Sequence, residues 1–300
     1  MKGNIMSKPT VGFIGLGLMG SAMCQRLLDM DYSMTVIANR SRENVEKALV
    51  RGATEAKTSS EVAANSDIVM LCMDTSDSVE SRMYGDNGVI AGLKPGTVVV
   101  DFGTSLPNST RKIGEVVAEK GGFYLDAPLG RTPSHALDGQ LNIMCSGDKS
   151  AFDKIKAVLN DLGENVFHLG DLGSGHTIKL INNFFAMTTA NAMGEAFCMA
   201  DKMGVDREKV YAVMSAGPLH SGMMDFVKAY ALEGNPTALA FAVKNAKKDV
   251  GYYAQMASDV NVESIMSKSV HEALTSATED GFGDRMVPEM VDYFTDKYSK

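Results

Sequence analysis

Val11-Gly12-Phe13-Ile14-Gly15-Leu16-Gly17-Leu18-Met19-Gly20 is an apolar run that ends in three glycines at G-x-G-x-x-G spacing. Residues 21 to 30 (SAMCQRLLDM) follow with helical spacing, so the glycines stand where a strand turns into a helix. Gly15 allows the tight turn, Gly17 lets a pyrophosphate approach the backbone, and Gly20 lets the helix pack on the strand. The helix N-terminus supplies free N–H groups to the anion. Gly15, Leu16, Gly17, Leu18, Met19 and Gly20 are therefore expected to bind a dinucleotide. The competing reading is a glycine-rich turn with a purely structural role.

Beyond this turn the same alternation continues. Short apolar runs recur at 34 to 39 (MTVIAN), 67 to 73 (DIVMLCM), 97 to 103 (TVVVDFG) and 123 to 128 (FYLDAP), with helical segments at 42 to 52 and 108 to 121 between them. Strands that alternate with helices predict a parallel sheet covered on both faces. A further strand from 141 (LNIMCSG) and a helix at 150 to 162 precede a Gly-rich break, FHLGDLGSG. After the break the β-branched runs stop, and 175 to 202 reads as one helix of about 28 residues, roughly 42 Å long. The expected architecture is an α/β Rossmann domain with a doubly wound, mainly parallel sheet (1–172), followed by an all-α domain (173–300) joined by the long helix.

A 300-residue chain can bury two such cores without disulfides or metals. Its net charge of −8 argues against a general nucleic-acid or anionic-membrane surface. No apolar run is long enough to span a bilayer and the N-terminus lacks a signal-peptide core, so a cytoplasmic location is the default expectation. Cys24, Cys72, Cys145 and Cys198 are far apart and read as reduced, mostly buried thiols. The five histidines are equally scattered, and no metal site is expected. Met187, Met193 and Met199 read as fillers of a helical core.

About 20 residues beyond the glycines, an NAD-selective site places an Asp or Glu for the ribose 2′-hydroxyl. Here Asn39, Arg40 and Ser41 stand at that point, with Arg42 close behind. A guanidinium can pair with a 2′-phosphate where a carboxylate would repel it, so NADP(H) is favoured and NAD(H) remains possible. Alternatively, Arg40 and Arg42 lie on a solvated helix start.

The chain resembles the β-hydroxyacid dehydrogenases, the family of 3-hydroxyisobutyrate dehydrogenase and tartronate semialdehyde reductase. Four segments carry the resemblance in the family's order: GFIGLGLMGSAM (12–23), DAPLGRT (126–132), GSGHTIKLINN (173–183) and KKD (247–249). It implies hydride transfer between a nicotinamide cofactor and a small hydroxyacid or semialdehyde, in a homodimer or homotetramer. It assigns general acid/base chemistry to Lys179. The residues agree that this lysine is unusual, because Gly175, Lys179, Asn182 and Asn183 form a polar stripe flanked by Ile178, Leu180, Ile181, Phe184 and Phe185. A surface lysine is the competing reading. By analogy Asn183, and with less support Asn182, binds substrate.

The resemblance also places Lys248 near the nicotinamide with Asp249 orienting it, and Phe241 two helical turns earlier on the same face as its shield. Lys247 reads equally well as part of a solvated charge run. Met73, Asp74 and Thr104 match cofactor-contact positions; the usual Pro after the third strand is missing, and Gly103 stands where Ser is common.

The main departure is DAPLGRT, where the family has Asp-Ala-Pro-x-Ser-Gly-Gly. Gly130, Arg131 and Thr132 replace the carboxylate-binding Ser-Gly-Gly, and an arginine there can grip an anion with two parallel hydrogen bonds. This version looks like the subgroup that reduces sulfolactaldehyde and succinic semialdehyde. The expected substrate is a small anionic 3- or 4-hydroxyacid or its semialdehyde, of the succinic semialdehyde, sulfolactaldehyde or 3-hydroxyisobutyrate type. Arg131 facing solvent or the cofactor phosphates is the alternative. An imine reductase-like enzyme and a non-catalytic dinucleotide-binding module are the other functional readings.

Overall fold

The apolar runs of the first half form one sheet. In the computed structural model, which describes residues 8–39 and 42–299, these strands are β1 (Val11–Ile14), β2 (Met34–Ile37), β3 (Thr54–Ala56), β4 (Ile68–Leu71), β5 (Val98–Asp101) and β6 (Phe123–Asp126). Their order is β3-β2-β1-β4-β5-β6, and every pairing is parallel. Successive side chains point to opposite faces of a strand. Val11, Phe13, Met34, Val36, Ile68, Met70, Val98 and Val100 thus enter one core, while Ile14, Ile37, Val69, Leu71 and Val99 enter the other. Helices on both faces explain why these strands read as unbroken apolar runs rather than alternating ones. Strand β3 was not legible because it is a three-residue edge strand with two exposed positions.

A second, three-stranded sheet follows, with β7 (Leu129–Gly130) antiparallel to β8 (Leu141–Cys145) and β8 parallel to β9 (Gly163–His168). The expected break at 167 to 175 therefore begins inside a strand. The helix Lys149–Leu162 returns the chain alongside β8, and Phe167 and His168 pair with Met144 and Cys145 before the glycines take over.

The long helix runs Ser174–Lys202. The chain divides into two compact units between Lys179 and Leu180, within this helix. The second unit is helical, its core built from Met187, Met193, Phe197 and Cys198 of the long helix with Val243, Val250, Leu274, Val291 and Phe294. Met199 departs from expectation, since it is 52% exposed rather than a core filler. All four cysteines are free, and only Cys72 is less than fully buried. Among the described residues, no helix is long and apolar enough to cross a membrane, and no group of three or more His, Cys, Asp or Glu is placed to hold a metal ion.

Candidate active site

The glycine-rich turn starts from strand β1 and opens the helix Leu18–Asp29. Gly15 has φ +99°, and a Cβ on it would lie 2.3 Å from the Cys72 carbonyl oxygen. Gly20 is fixed by packing, because a Cβ there would stand 2.0 Å from the Gly15 oxygen. Gly17 differs: a Cβ on it would meet nothing within 4 Å. The protein itself thus requires Gly15 and Gly20, whereas the space over Gly17 is left for something else. Gly17 is also the N-cap of its helix, makes no side-chain cap, and has no acidic residue in the turn after it. The first-turn N–H groups have no carbonyl within the helix, so this end suits an anion.

A cleft beside the turn is lined by Gly15, Leu16, Gly17, Ile37, Asn39, Cys72, Met73 and Asp74. The structure thereby brings together the expected contacts Asn39, Met73 and Asp74 with the glycines. Asn44 Nδ2 donates to the Leu16 carbonyl at 2.8 Å and steadies the turn. Burial pushes the Cys72 thiol up to about 12, with the charge of Asp101 adding to the effect, so it stays a protonated, inert wall of the cleft. Thr104, half-buried, follows β5. Gly103, where the family usually has Ser, has a physical reason: its Cβ would come within 2.9 Å of the Met73 carbonyl oxygen. An open anion-binding turn at the mouth of such a cleft fits a dinucleotide.

Arg40 and Ser41 lie outside the described residues. Arg42 is already engaged, its Nη1 and Nη2 lying 3.0 and 3.1 Å from the two carboxylate oxygens of Glu55. Sequence reasoning missed Arg82, whose Nη2 donates to Asn39 Oδ1 at 2.6 Å. It is 43 residues from Asn39, and no local spacing could have paired them.

In the DAPLGRT segment, Leu129–Gly130 pairs with Asn142 and Ile143. Arg131 has φ +77°, a conformation that favours glycine. Its Nη1 donates to the Gln140 carbonyl oxygen at 2.7 Å and to Glu164 Oε2 at 2.5 Å. Thr132 stands at the N-cap position of the short helix Pro133–Leu137 without a side-chain cap to its backbone, and its Oγ1 contacts Ser134 Oγ and His135 Nδ1.

On the long helix, Lys179 is half-buried, Asn183 is buried and Asn182 is exposed. The apolar flank is less closed than expected, since Ile178, Ile181 and Phe185 are 40%, 48% and 71% exposed. Asn183 Nδ2 donates to Asp249 Oδ2 at 2.6 Å. Lys248 Nζ lies 3.0 Å from Asp249 Oδ1 and 5.1 Å from the centroid of the Tyr252 ring. Asp249 therefore contacts Lys248, as expected, and also binds Asn183, which the sequence did not disclose.

Phe241 corrects an expectation. The helix that carries Lys248 begins only at Val243, so Phe241 does not share a helical face with it. Residues 241 and 242 pair instead with 286 and 287: the Val287 N–H donates to the Phe241 oxygen at 2.9 Å, and Ala242 bridges Met286. Phe241 packs against the helical core.

The strand order and the glycine-rich cleft define a dinucleotide-binding oxidoreductase architecture. Residues 10–170 match the family model described as the NAD binding domain of 6-phosphogluconate dehydrogenase, and residues 173–294 that described as NAD-binding of NADP-dependent 3-hydroxyisobutyrate dehydrogenase. The 2-(hydroxymethyl)glutarate dehydrogenase of Eubacterium barkeri is 32% identical over 91% of this chain and 90% of its own. Glyoxylate/succinic semialdehyde reductase 1 of Arabidopsis thaliana is 28% identical over 91% and 94%. The structure of Mycobacterium tuberculosis 3-hydroxyisobutyrate dehydrogenase shares the fold with a TM-score of 0.84, at 21% identity over 96% of this chain and 99% of that one. The chain belongs to the NAD(P)-dependent β-hydroxyacid dehydrogenase family.

Proposed function

We propose that the protein reduces a short anionic semialdehyde to its hydroxyacid, with NADPH as the preferred cofactor and Lys179 as the proton donor. The bound reduced nicotinamide supplies the hydride to the carbonyl carbon. The Lys179 ammonium gives a proton to the oxygen and steadies the developing negative charge; in the oxidative direction the neutral amine takes the proton back. The observation that carries this reading is the position of Lys179, half-buried in the second turn of the helix Ser174–Lys202, one turn before the buried Asn183.

Asn183 donates its Nδ2 to Asp249, and its Oδ1, which takes one long bond of 3.3 Å from Asn182 Nδ2, keeps a second lone pair that can accept from a substrate hydroxyl. Arg131 supplies charge for the substrate's anionic end, exchanging the Glu164 carboxylate for that of the substrate. The Gly130-Arg131-Thr132 segment and the likeness to the Arabidopsis reductase favour succinic semialdehyde or sulfolactaldehyde as the substrate type. NADP preference is supported by Asn39 in place of a carboxylate and by the Arg82 guanidinium held beside it.

The test is a panel of succinic, tartronic and methylmalonic semialdehydes, sulfolactaldehyde and glyoxylate, each run with NADPH and NADH. Turnover of at least one anionic semialdehyde, faster with NADPH, is expected. No turnover across the panel overturns the reading of substrate class, and a clear NADH preference overturns that of the cofactor.

A further inference from the structure

Asp126 ends strand β6 with no exposed surface, and its contacts reach the start of the helix that carries Lys179. Its Oδ1 accepts the Gly173 N–H at 2.8 Å and its Oδ2 accepts the His176 N–H at 2.7 Å. The Ser146 hydroxyl donates to Oδ1 and itself accepts the Gly175 N–H at 2.9 Å. Asp126 and Ser146 are in turn locked by paired backbone hydrogen bonds of 3.2 and 2.7 Å. Three N–H groups at the helix start, which have no partner inside a helix, are thus received by two buried side chains at the strand ends.

The His176 ring completes the joint. It is wholly buried, with Nδ1 2.8 Å from Thr110 Oγ1 and 3.9 Å from Asp126 Oδ2, while Nε2 lies 3.8 Å from Asp101 Oδ2, beyond hydrogen-bond reach. Asp101 is held by the Gly103 N–H at 2.8 Å and the Ser105 hydroxyl at 2.9 Å. The helix backbone also approaches the strands too closely for any side chain: a Cβ on Gly175 would lie 2.2 Å from the Met144 oxygen and 2.9 Å from Asp126 Oδ2.

We infer that Asp126, acting with Ser146 and His176, is a positioning group for Lys179. It fixes the first turn of the helix against the ends of β6 and β8, and so sets where the lysine stands relative to the sheet that carries the cofactor turn. Lys179 follows His176 by three residues, so a rotation or slip of the first turn carries the ammonium with it. A displacement of about 1 Å at a proton donor can cost about 100-fold in rate. Acidic clusters at strand ends often read as metal or acid/base sites, but here every hydrogen bond to Asp126 serves the joint. The inference rests on the reading of Lys179 as proton donor for its kinetic part only.

The test compares Asp126→Asn with the milder Ser146→Ala and with Gly175→Ala, which removes no polar group. Each variant is first shown to be folded by its thermal melt and by NADPH titration. Asp126→Asn and Gly175→Ala are expected to lower kcat about 10- to 100-fold with NADPH affinity unchanged within twofold, and Ser146→Ala to fall between them and the unsubstituted chain. Amide hydrogen exchange should accelerate in the peptide covering 173–180 and stay unchanged in β1 and β4. Folded variants that keep kcat within twofold and show unaltered exchange at 173–180 overturn the inference. If exchange accelerates but Lys179→Ala itself keeps full turnover, the joint stands and the proton-donor reading falls.

Discussion

The side-chain amide of Asn183 donates to Asp249 Oδ2 at 2.6 Å, and the other oxygen of that carboxylate lies 3.0 Å from Lys248 Nζ. Asp249 is 2% exposed and Asn183 7%, so the carboxylate depends on these two partners for its buried position. A carboxylate can only accept, which fixes the amide of Asn183 with its nitrogen toward Asp249 and its oxygen away. The orientation of a residue proposed to touch substrate is therefore decided by a residue 66 positions later in the chain.

Asn183→Asp tests this dependence with little change in shape. It sets two buried carboxyl groups at hydrogen-bond distance, and one of them must hold its proton well above the ordinary carboxylate range. A group whose pKa is raised on folding stabilises at low pH and loses that contribution as pH rises through the raised value. The variant should therefore be less stable than the unsubstituted chain near pH 7.5, by about 3 kcal/mol, and regain part of the difference near pH 5. Paired thermal melts across that range check it; a difference independent of pH would show that the two side chains do not share the site.

Replacing Lys179 by Ala should lower kcat by about 100- to 10,000-fold, the range of a lost general acid, with NADPH affinity unchanged within twofold. Lys179→Arg should rescue little, because a guanidinium keeps its charge but does not release a proton near neutral pH. Steady-state kinetics and a fluorescence titration with NADPH separate the two effects. Near-normal turnover of the Ala variant would remove Lys179 from the chemistry.

Arg131 couples a stability term to a binding term of opposite sign. Its φ of +77° is unfavourable for any side chain but natural for Gly, while its ion pair with Glu164 is 31% and 56% exposed on the two sides and contributes little. Arg131→Gly should leave stability unchanged or raise it by about 1 kcal/mol. The same change should raise KM for an anionic semialdehyde about 10-fold or more, by removing a charge-assisted pair. Glu164→Gln should lower KM by freeing the guanidinium. Chemical denaturation and substrate titrations of the two variants provide the check, and an unchanged KM in both would place Arg131 outside substrate binding.

The parts of the fold legible in the sequence were those set by local periodicity. β1, β2, β4, β5 and β6 are unbroken apolar runs because both sheet faces are covered, and the long helix shows as a 29-residue stretch with no proline. β3 and β9 escaped because edge strands with exposed positions carry no such run. In the site, the placement of contiguous residues was readable, as with the glycines between β1 and its helix and Lys179 on the long helix. Contacts set by tertiary pairing were not: Arg82 on Asn39, Asp249 on Asn183 and Asp126 under His176 are 43, 66 and 50 residues apart. Phe241 departs for the same reason, since it pairs with residue 287 and the helix that carries Lys248 starts only after it, at Val243.

The three glycines of the turn give the sharpest separation of fold from ligand. A methyl group on Gly20 would sit 2.0 Å from the Gly15 backbone oxygen, and one on Gly15 would be 2.3 Å from the Cys72 oxygen at a φ of +99°. Neither neighbour is a side chain that can swing away, so Gly20→Ala and Gly15→Ala should each lower the thermal midpoint of the unliganded protein and weaken cofactor binding together. On Gly17 the added methyl meets no protein atom within 4 Å. Gly17→Ala should therefore keep the unliganded midpoint, and even gain slightly from the lower entropy of its unfolded chain. The methyl would stand where a pyrophosphate must approach the backbone, so NADPH affinity should fall by 10-fold or more. Melting curves with and without NADPH decide the matter: the cofactor-induced rise in midpoint should shrink in Gly17→Ala at a fixed NADPH concentration while the unliganded curve is unmoved. A full cofactor-induced rise in that variant would place the phosphates away from this turn.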